Sequence, residues 1–218
     1  MKAEVMELPL FPLNVVLFPG QTLPLHIFEP RYRLMIQRCI DNGQPFGVVL
    51  NQEDDDEPHI VGTAARITQV ERLPDGRMNI LTVGIERIVL QEIYEGDDEY
   101  LIGDAISYPF KDDTPPSDSL KRQVTNRLRK YLALLAQLSD VQFNLDELPD
   151  EAISLAMFAA IALQLPLVEK QRLLATEELA EILTIENDLL KQELVSLAIM
   201  AASIKPGEDA NAIVFSRN

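Results

Sequence analysis

The sequence has no GxxxxGK[ST] loop, no HExxH and no CxxC. The first absence excludes a nucleoside-triphosphate site of the phosphate-loop type. The other two, with only two histidines and one cysteine, speak against a zinc site. No catalytic residue, metal ligand or cofactor is therefore assigned. A single thiol, Cys39, rules out an internal disulfide framework and fits a reducing compartment, so a cytoplasmic location is expected. Cys39 falls on an apolar helical pattern, which predicts a buried, inert thiol. His26 and His59 stand alone in the sequence and are read as structural or solvent-exposed. The opening Met1-Lys2-Ala3-Glu4-Val5 lacks a long apolar run, so no secretory signal is expected. The most apolar window, Ala152 to Leu165, is interrupted by Ser154 and Gln164. It falls short of the roughly 20 residues that span a bilayer and reads as a buried core helix. Basic residues are scarce: the net charge is −16. Up to Phe110 there are 8 Lys/Arg against 18 Asp/Glu, and beyond it 11 against 17. Nucleic-acid affinity depends on neutralising phosphates, so this balance argues against such a partner.

What is present is organised around Glu7 to Arg33, ELPLFPLNVVLFPGQTLPLHIFEPRYR. Phe18-Pro19-Gly20-Gln21 carries Pro and Gly at the central positions of a type II turn. Leu23, Leu25 and Ile27 then alternate with Thr22, Pro24 and His26, the period of a strand. Pro24 cannot donate a ladder hydrogen bond, which predicts an edge or bulged strand. Pro30 suits a first helical turn, and Leu34, Met35, Arg38 and Cys39 continue at helical spacing until Asp41-Asn42-Gly43 stops the helix. Glu29 lies beside the positive end of that helix.

Phe46 to Leu50 reads as a short central strand. The acids Glu53 to Glu57 read as a solvated loop without the glycine and spacing of a calcium loop. Ile60 to Leu73 and Met78 to Ile93 flank the turn Pro74-Asp75-Gly76-Arg77 as a hairpin. The second of these strands is apolar on both faces and should be central, with Gly84 marking a bulge or sharp bend. Glu95 to Glu99 is a further acidic turn, and Tyr100 to Phe110 adds a strand. Lys111 to Ser119 is polar, contains Pro115-Pro116 and is the linker candidate. After it the pattern becomes helical. Ser117 or Ser119 caps a helix to about Leu138 with the stripe Leu120, Val124, Leu128, Tyr131, Leu132 and Leu135. Pro149-Asp150-Glu151 starts a helix that is apolar nearly all round. Pro166 breaks it, a short helix runs to about Leu174, and a last one runs to about Ser203. Leu183, Leu190 and Leu197 recur every seven residues on that last helix, a seam for neighbouring helices. The chain thus divides into a β-rich block over 1–110, a helical block over 117–204 and a tail over 205–218. The fold class is α+β.

Several segments resemble the Lon N-terminal domain, the substrate-recruiting domain of the ATP-dependent Lon protease. They are LPLFPLNVVLFPG, LPLHIFEPRYR, FGVVL (Phe46–Leu50), VGTAARI (Val61–Ile67), DGRMNILTVGIERI (Asp75–Ile88) and LPLVEKQRLLA (Leu165–Ala175). They follow the family's order along nearly the whole chain. The resemblance implies a PUA-like pseudobarrel carrying one helix, then a bundle ending in a long helix. It also implies a domain that holds polypeptide without chemistry of its own, because the ATPase and Ser–Lys peptidase parts of Lon have no counterpart in these residues.

The leading reading is accordingly a non-catalytic recognition module for unfolded or apolar polypeptide, acting as a recruiter or adaptor, with a protease or another protein as a further partner. Its contact residues are sought in the dense apolar set Leu10, Phe11, Phe18, Phe28, Tyr32 and Met35, because exposed apolar patches mark binding surfaces. Glu29, Arg31 and Arg33 form a candidate polar recognition set. Arg66, Glu86 and Arg87 are a second such set, unless they are ion pairs holding helix to sheet. An RNA-binding PUA-like protein is the alternative, and a basic groove would favour it. A small-molecule enzyme is the third, favoured by a cleft that joins residues such as His26 and Glu29.

Overall fold

The computed structural model describes residues 4–52, 58–96, 98–111, 114–139 and 147–203, with side chains through 200. In chain order the elements are β1 (Met6–Leu13), β2 (Thr22–Ile27), α1 (Pro30–Asn42), β3 (Phe46–Leu50), β4 (Val61–Arg72), β5 (Met78–Glu95), β6 (Leu101–Ser107), α2 (Asp118–Leu138), α3 (Ala152–Ala162), α4 (Leu167–Ala175) and α5 (Leu179–Ser203). They form two compact units. One comprises Met1–Lys111 with Gln164–Glu177, and the other Asp112–Leu163 with Glu178–Asn218. The fold is α+β, with the strands in the first unit and three of the helices in the second. The helical block read over 117–204 is interrupted: α4 returns to the first unit and packs on β4. The acidic run 53–57, residues 112–113 of the linker and the tail 205–218 lie outside the described residues.

The sheet runs β2-β5-β4-β3-β1-β6, and a further pairing of β5 with β6 closes β5-β4-β3-β1-β6 into a barrel. Only β1 and β3 run parallel. Strand β5 is long enough to change partner along one edge. Met78 to Val83 pair with β2, and Ile88 to Glu95 pair with β6. The change falls at Gly84, where the ladder to β4 skips from Ala64↔Glu86 to Ala65↔Gly84 and leaves Ile85 as the bulge. Glycine is needed there because a Cβ would collide with the Phe18 carbonyl. The Pro19-Gly20 turn docks at this point. Gly20 N–H donates to Gly84 O at 2.9 Å, and Gly84 N–H donates to Gln21 O at 3.0 Å. The turn itself closes by Gln21 N–H to Phe18 O at 3.0 Å, with Gly20 at φ 83°.

Among the described residues β2 pairs with β5 alone, so Pro24 sits on an edge strand as its missing N–H requires. Helix α1 starts at Pro30 and ends on Gly43, which is left-handed at φ 64°. Its face of Tyr32, Met35, Ile36 and Cys39 packs on Phe11, Leu17, Phe46, Val48, Met78 and Ile80. Burial raises the Cys39 thiol to about 11, so it is protonated and unreactive at neutral pH. A second cluster of Leu8, Leu10, Val49, Ala64, Ile88, Leu90 and Ala105 joins β1, β3, β4, β5 and β6.

Gly43 has open space where a Cβ would stand. Gly43→Ala should therefore cost only the left-handed backbone penalty, about 1–2 kcal/mol. Gly43→Asn should cost less. Urea midpoints of the two variants check this, and equal midpoints for wild type and Gly43→Ala would contradict it.

In the second unit Ser117 caps α2 by accepting from Leu120 N–H, and Val124, Leu128, Tyr131 and Leu132 are buried, with Leu120 and Leu135 half-buried. Glu151 caps α3 by accepting from the N–H groups of Ile153 and Ser154. Leu183, Leu190 and Leu197 are buried along α5, together with Ile182 and the carboxyl of Glu186.

Candidate functional site

Of the six apolar residues singled out, the structure exposes one. Leu10, Phe11, Phe18, Tyr32 and Met35 are buried in the first unit. Phe28 is 59 % exposed. The difference in burial has a simple cause. A barrel with a helix packed on it has an apolar interior large enough to enclose the five, whereas Phe28 follows Ile27, the last and buried residue of β2, and so points out of the sheet.

Phe28 stands where the end of β2, the start of α1 and the β4–β5 turn meet. Its ring stacks on His26 with centroids 6.2 Å apart. His26 lies opposite Asn79 in the β2–β5 register. Its Nδ1 is 2.7 Å from Asn79 Oδ1, so Nδ1–H is the donor, and Nε2 faces the Arg77 guanidinium at 3.4 Å. Asn79 in turn donates to Glu71 at 2.8 Å. In the turn, Asp75 accepts from the Arg77 backbone N–H at 3.1 Å and pairs with its side chain at 2.7 Å. These bonds hold the Asp75 carboxyl below its usual value. On the α1 side, Arg31 pairs with Glu29 at 3.0 Å and lies 4.7 Å from the Tyr32 ring centroid. The Tyr32 ring stacks on buried Phe11 at 4.3 Å, which fixes the base of this rim. Desolvation raises the Tyr32 phenol. Arg33 lies against Gly76, where a side chain on the glycine would collide with the guanidinium.

The polar set Glu29, Arg31 and Arg33 thus surrounds one end of α1 beside Phe28. His26, Arg77 and Asn79 join it through the strand register, which sequence reasoning missed. The one local signal was the placing of His26 two residues before Phe28. His26 and Glu29 share this rim. Among the described residues no group of His, Cys, Asp and Glu could hold a metal ion. The rim thus presents an exposed ring framed by hydrogen-bonding groups of both charges.

The second polar set is dispersed. Arg66 is exposed, and Glu86 accepts from Ser107 Oγ at 2.6 Å. Arg87 is buried, donates to the carbonyls of Leu174 and Thr176, and is an anchor for α4. Gln171 of α4 donates to Val61 O at 2.8 Å. Among the described residues no helix is long and apolar enough to cross a membrane.

Comparison with known proteins gives the family. The model of the ATP-dependent protease La (LON) substrate-binding domain matches residues 7–192. The Lon protease of Trichlorobacter lovleyi is 31% identical over 89% of this chain and 25% of its own length. That of Vibrio parahaemolyticus is 29% identical over 83% of this chain and 24% of its own length. The chain therefore spans about a quarter of the curated relatives it matches. The crystal structure of a Lon N-terminal domain protein from Xanthomonas campestris superposes with a TM-score of 0.64 at 26% identity, covering 82% of this chain and 95% of that one. The N-terminal domain of Mycobacterium avium complex Lon protease, at 20% identity and TM-score 0.65, covers 85% of this chain and 98% of that one and shares the fold. With its family model matched over most of its length, the chain belongs to the family of Lon substrate-binding domains.

Proposed function

We infer that this protein recognises unfolded or apolar polypeptide as a non-catalytic recruiting module, and that Phe28 is the apolar contact on its surface. The observation that carries the reading is an exposed aromatic ring on a rim of mixed charge, in a family described by substrate binding. Glu29, Arg31 and Arg33 supply polar contacts to the flanking backbone and side chains of the bound segment. Beneath the rim, Tyr32 packs with Phe11 and Met35 in one buried cluster. Because the relatives are named as proteases, the reading extends to work alongside a protease, as recruiter or adaptor in the cytoplasm.

The test is titration of reduced, carboxamidomethylated α-lactalbumin, a permanently unfolded protein, against the intact chain. A Kd in the micromolar range, about −8 kcal/mol, suits a transient recruiter. Phe28→Ala should weaken binding about tenfold, as loss of an aromatic contact does. Raising salt should leave most of the affinity intact, unlike phosphate-driven binding. Basic or neutral segments should bind better than acidic ones, given the net charge of −16. No binding at about 100 μM, with tight binding of a structured RNA, would replace this reading with the RNA one.

A further inference from the structure

Strand β4 is longer than its neighbour on one side. β3 pairs with it only at Phe46↔Ala65, Gly47↔Ala64 and Val48↔Thr63, whereas β5 follows it on the other side as far as Arg72. Among the described residues, the edge of β4 from Arg66 to Glu71 that faces away from β5 has no backbone partner. Every second residue of such an edge presents its N–H and C=O outward, and the row is a template for another extended chain. Helix α1 runs alongside without sealing it. Arg72 reaches Gln37 of α1 at 2.6 Å, but nearer the β3 end a groove of about 250 Å³ opens between Cys39, Ile40, Gly43 and Gln44 on one side and Arg66 to Val70 on the other. Arg66, Thr68, Gln69 and Val70 are exposed along it.

We propose that this groove takes an extended segment of a partner polypeptide as an added strand on β4, in line with β3. The proposal deepens the polypeptide-binding reading and rests on it. The groove fits an extended backbone better than a helix or a compact ligand, because its distinctive content is unpaired backbone rather than a pocket of converging side chains. Ile40 and Ile67 give an apolar side chain of the segment something to pack on. Arg66 is the one charged residue in the lining, so a neutral or acidic residue is favoured at that end. A second copy of this chain meets a charge conflict in the register that would use the whole edge. Antiparallel pairing of two β4 edges centred on Gln69 would set Arg66 opposite Arg72, and like charges directly opposite destabilise a sheet. A bulge at Thr68, where the ladder passes from Ile67↔Thr82 to Gln69↔Leu81, also breaks the edge into short runs. Short runs suit reversible capture and resist open-ended stacking.

Hydrogen exchange of the full chain, with and without reduced, carboxamidomethylated α-lactalbumin, tests the proposal. Outward amides within Arg66 to Glu71 should exchange at least tenfold more slowly when the probe is bound. Val70→Lys places a charge on the exposed edge, where it leaves the core untouched; it should weaken binding about tenfold and abolish that protection, with an unchanged melting curve. Binding with unchanged exchange at Arg66 to Glu71 would overturn the strand proposal and leave the recruiter reading standing. Absence of any binding would overturn both. Protection that grows with protein concentration in the absence of probe would mean that a second copy fills the edge, and would overturn it too.

Discussion

Arg87→Ala is expected to cost the barrel-bearing unit about 3–5 kcal/mol and to release α4 from β4. Arg87 is 4 % exposed, and its hydrogen bonds among the described residues go to backbone carbonyls. Its guanidinium donates to Leu174 O at 2.9 Å and to Thr176 O at 2.5 Å, both at the C-terminal end of α4. Carbonyls there have no helical partner and carry the negative end of the helix dipole. The same group lies 3.7 Å from the Phe110 ring centroid and 5.0 Å from that of Tyr108. Tyr108 is tied to the same corner by its hydroxyl, which donates to Ala175 O and Glu177. Hydrogen bonds to a charged group contribute about 1.5–3 kcal/mol each, and truncation would strand two buried carbonyls. One nitrogen, Nη2, has no partner among the described residues, which lowers the total below a simple sum. Desolvation brings the guanidinium down to about 10, still protonated at neutral pH, so the anchor is charged under ordinary conditions. Arg87→Lys should recover part of the loss, because an ammonium keeps the charge but not the flat fork that bridges two carbonyls. Urea unfolding gives the free energies, and exchange of the α4 amides reports release of the helix. A loss under about 1 kcal/mol would show that α4 is held by apolar contact alone.

Glu186→Leu is expected to stabilise the helical unit by about 1–3 kcal/mol at neutral pH, a gain from removing a polar group. Glu186 is fully buried on α5, between the seam residues Leu183 and Leu190, and neither carboxyl oxygen has a partner among the described residues. Arg127 of α2 is engaged with Asn187, the residue that follows Glu186. A buried polar group without a hydrogen bond costs about 1–3 kcal/mol, and a buried charge costs more. Desolvation accordingly raises the Glu186 carboxyl well above its ordinary 4.5. The folded state therefore holds the proton more tightly than the unfolded state. The stabilisation from this proton is complete below about pH 4.5 and is lost as pH rises toward the folded-state value. Glu186→Gln should flatten this descending slope without adding apolar packing, and Glu186→Leu should both flatten it and raise the plateau. Denaturant midpoints of the three proteins between about pH 4 and 8 make the comparison. A destabilised Glu186→Leu would mean that the carboxylate has a partner that matters.

Features set by a few adjacent residues were legible in the sequence. Pro19-Gly20 and Asp75-Gly76 are turns, each with its glycine at φ 83°. Pro30 opens α1 and Gly43 closes it. Ser117 caps α2, and the recurrence of Leu183, Leu190 and Leu197 marks the buried side of α5. Gly84 marks a bulge, and Pro24 an edge strand. Each follows from φ preference, a missing N–H or a short period, which are properties of the chain over one or two turns. The motifs of the opening stretch carried the family as well.

Partnership between distant residues was decided only in three dimensions. Density of apolar residues could not tell Phe28 from Phe11 or Phe18, because exposure depends on what the barrel and α1 have already covered. The meeting of His26 with Asn79 depends on the register of β2 on β5 across 53 residues. The membership of α4 was hidden for the same reason. Its sequence is helical like that of its neighbours, but Arg87 and Gln171 bind it to the strands, and no pattern within Leu167–Ala175 records that long-range contact. The open edge of β4 is likewise a difference in length between two strands, visible only once they are paired. Local chemistry fixes what each segment is. Which segments meet is settled by the summed fit of many weak contacts far apart in the chain, and the exposed surface is what that fit leaves uncovered.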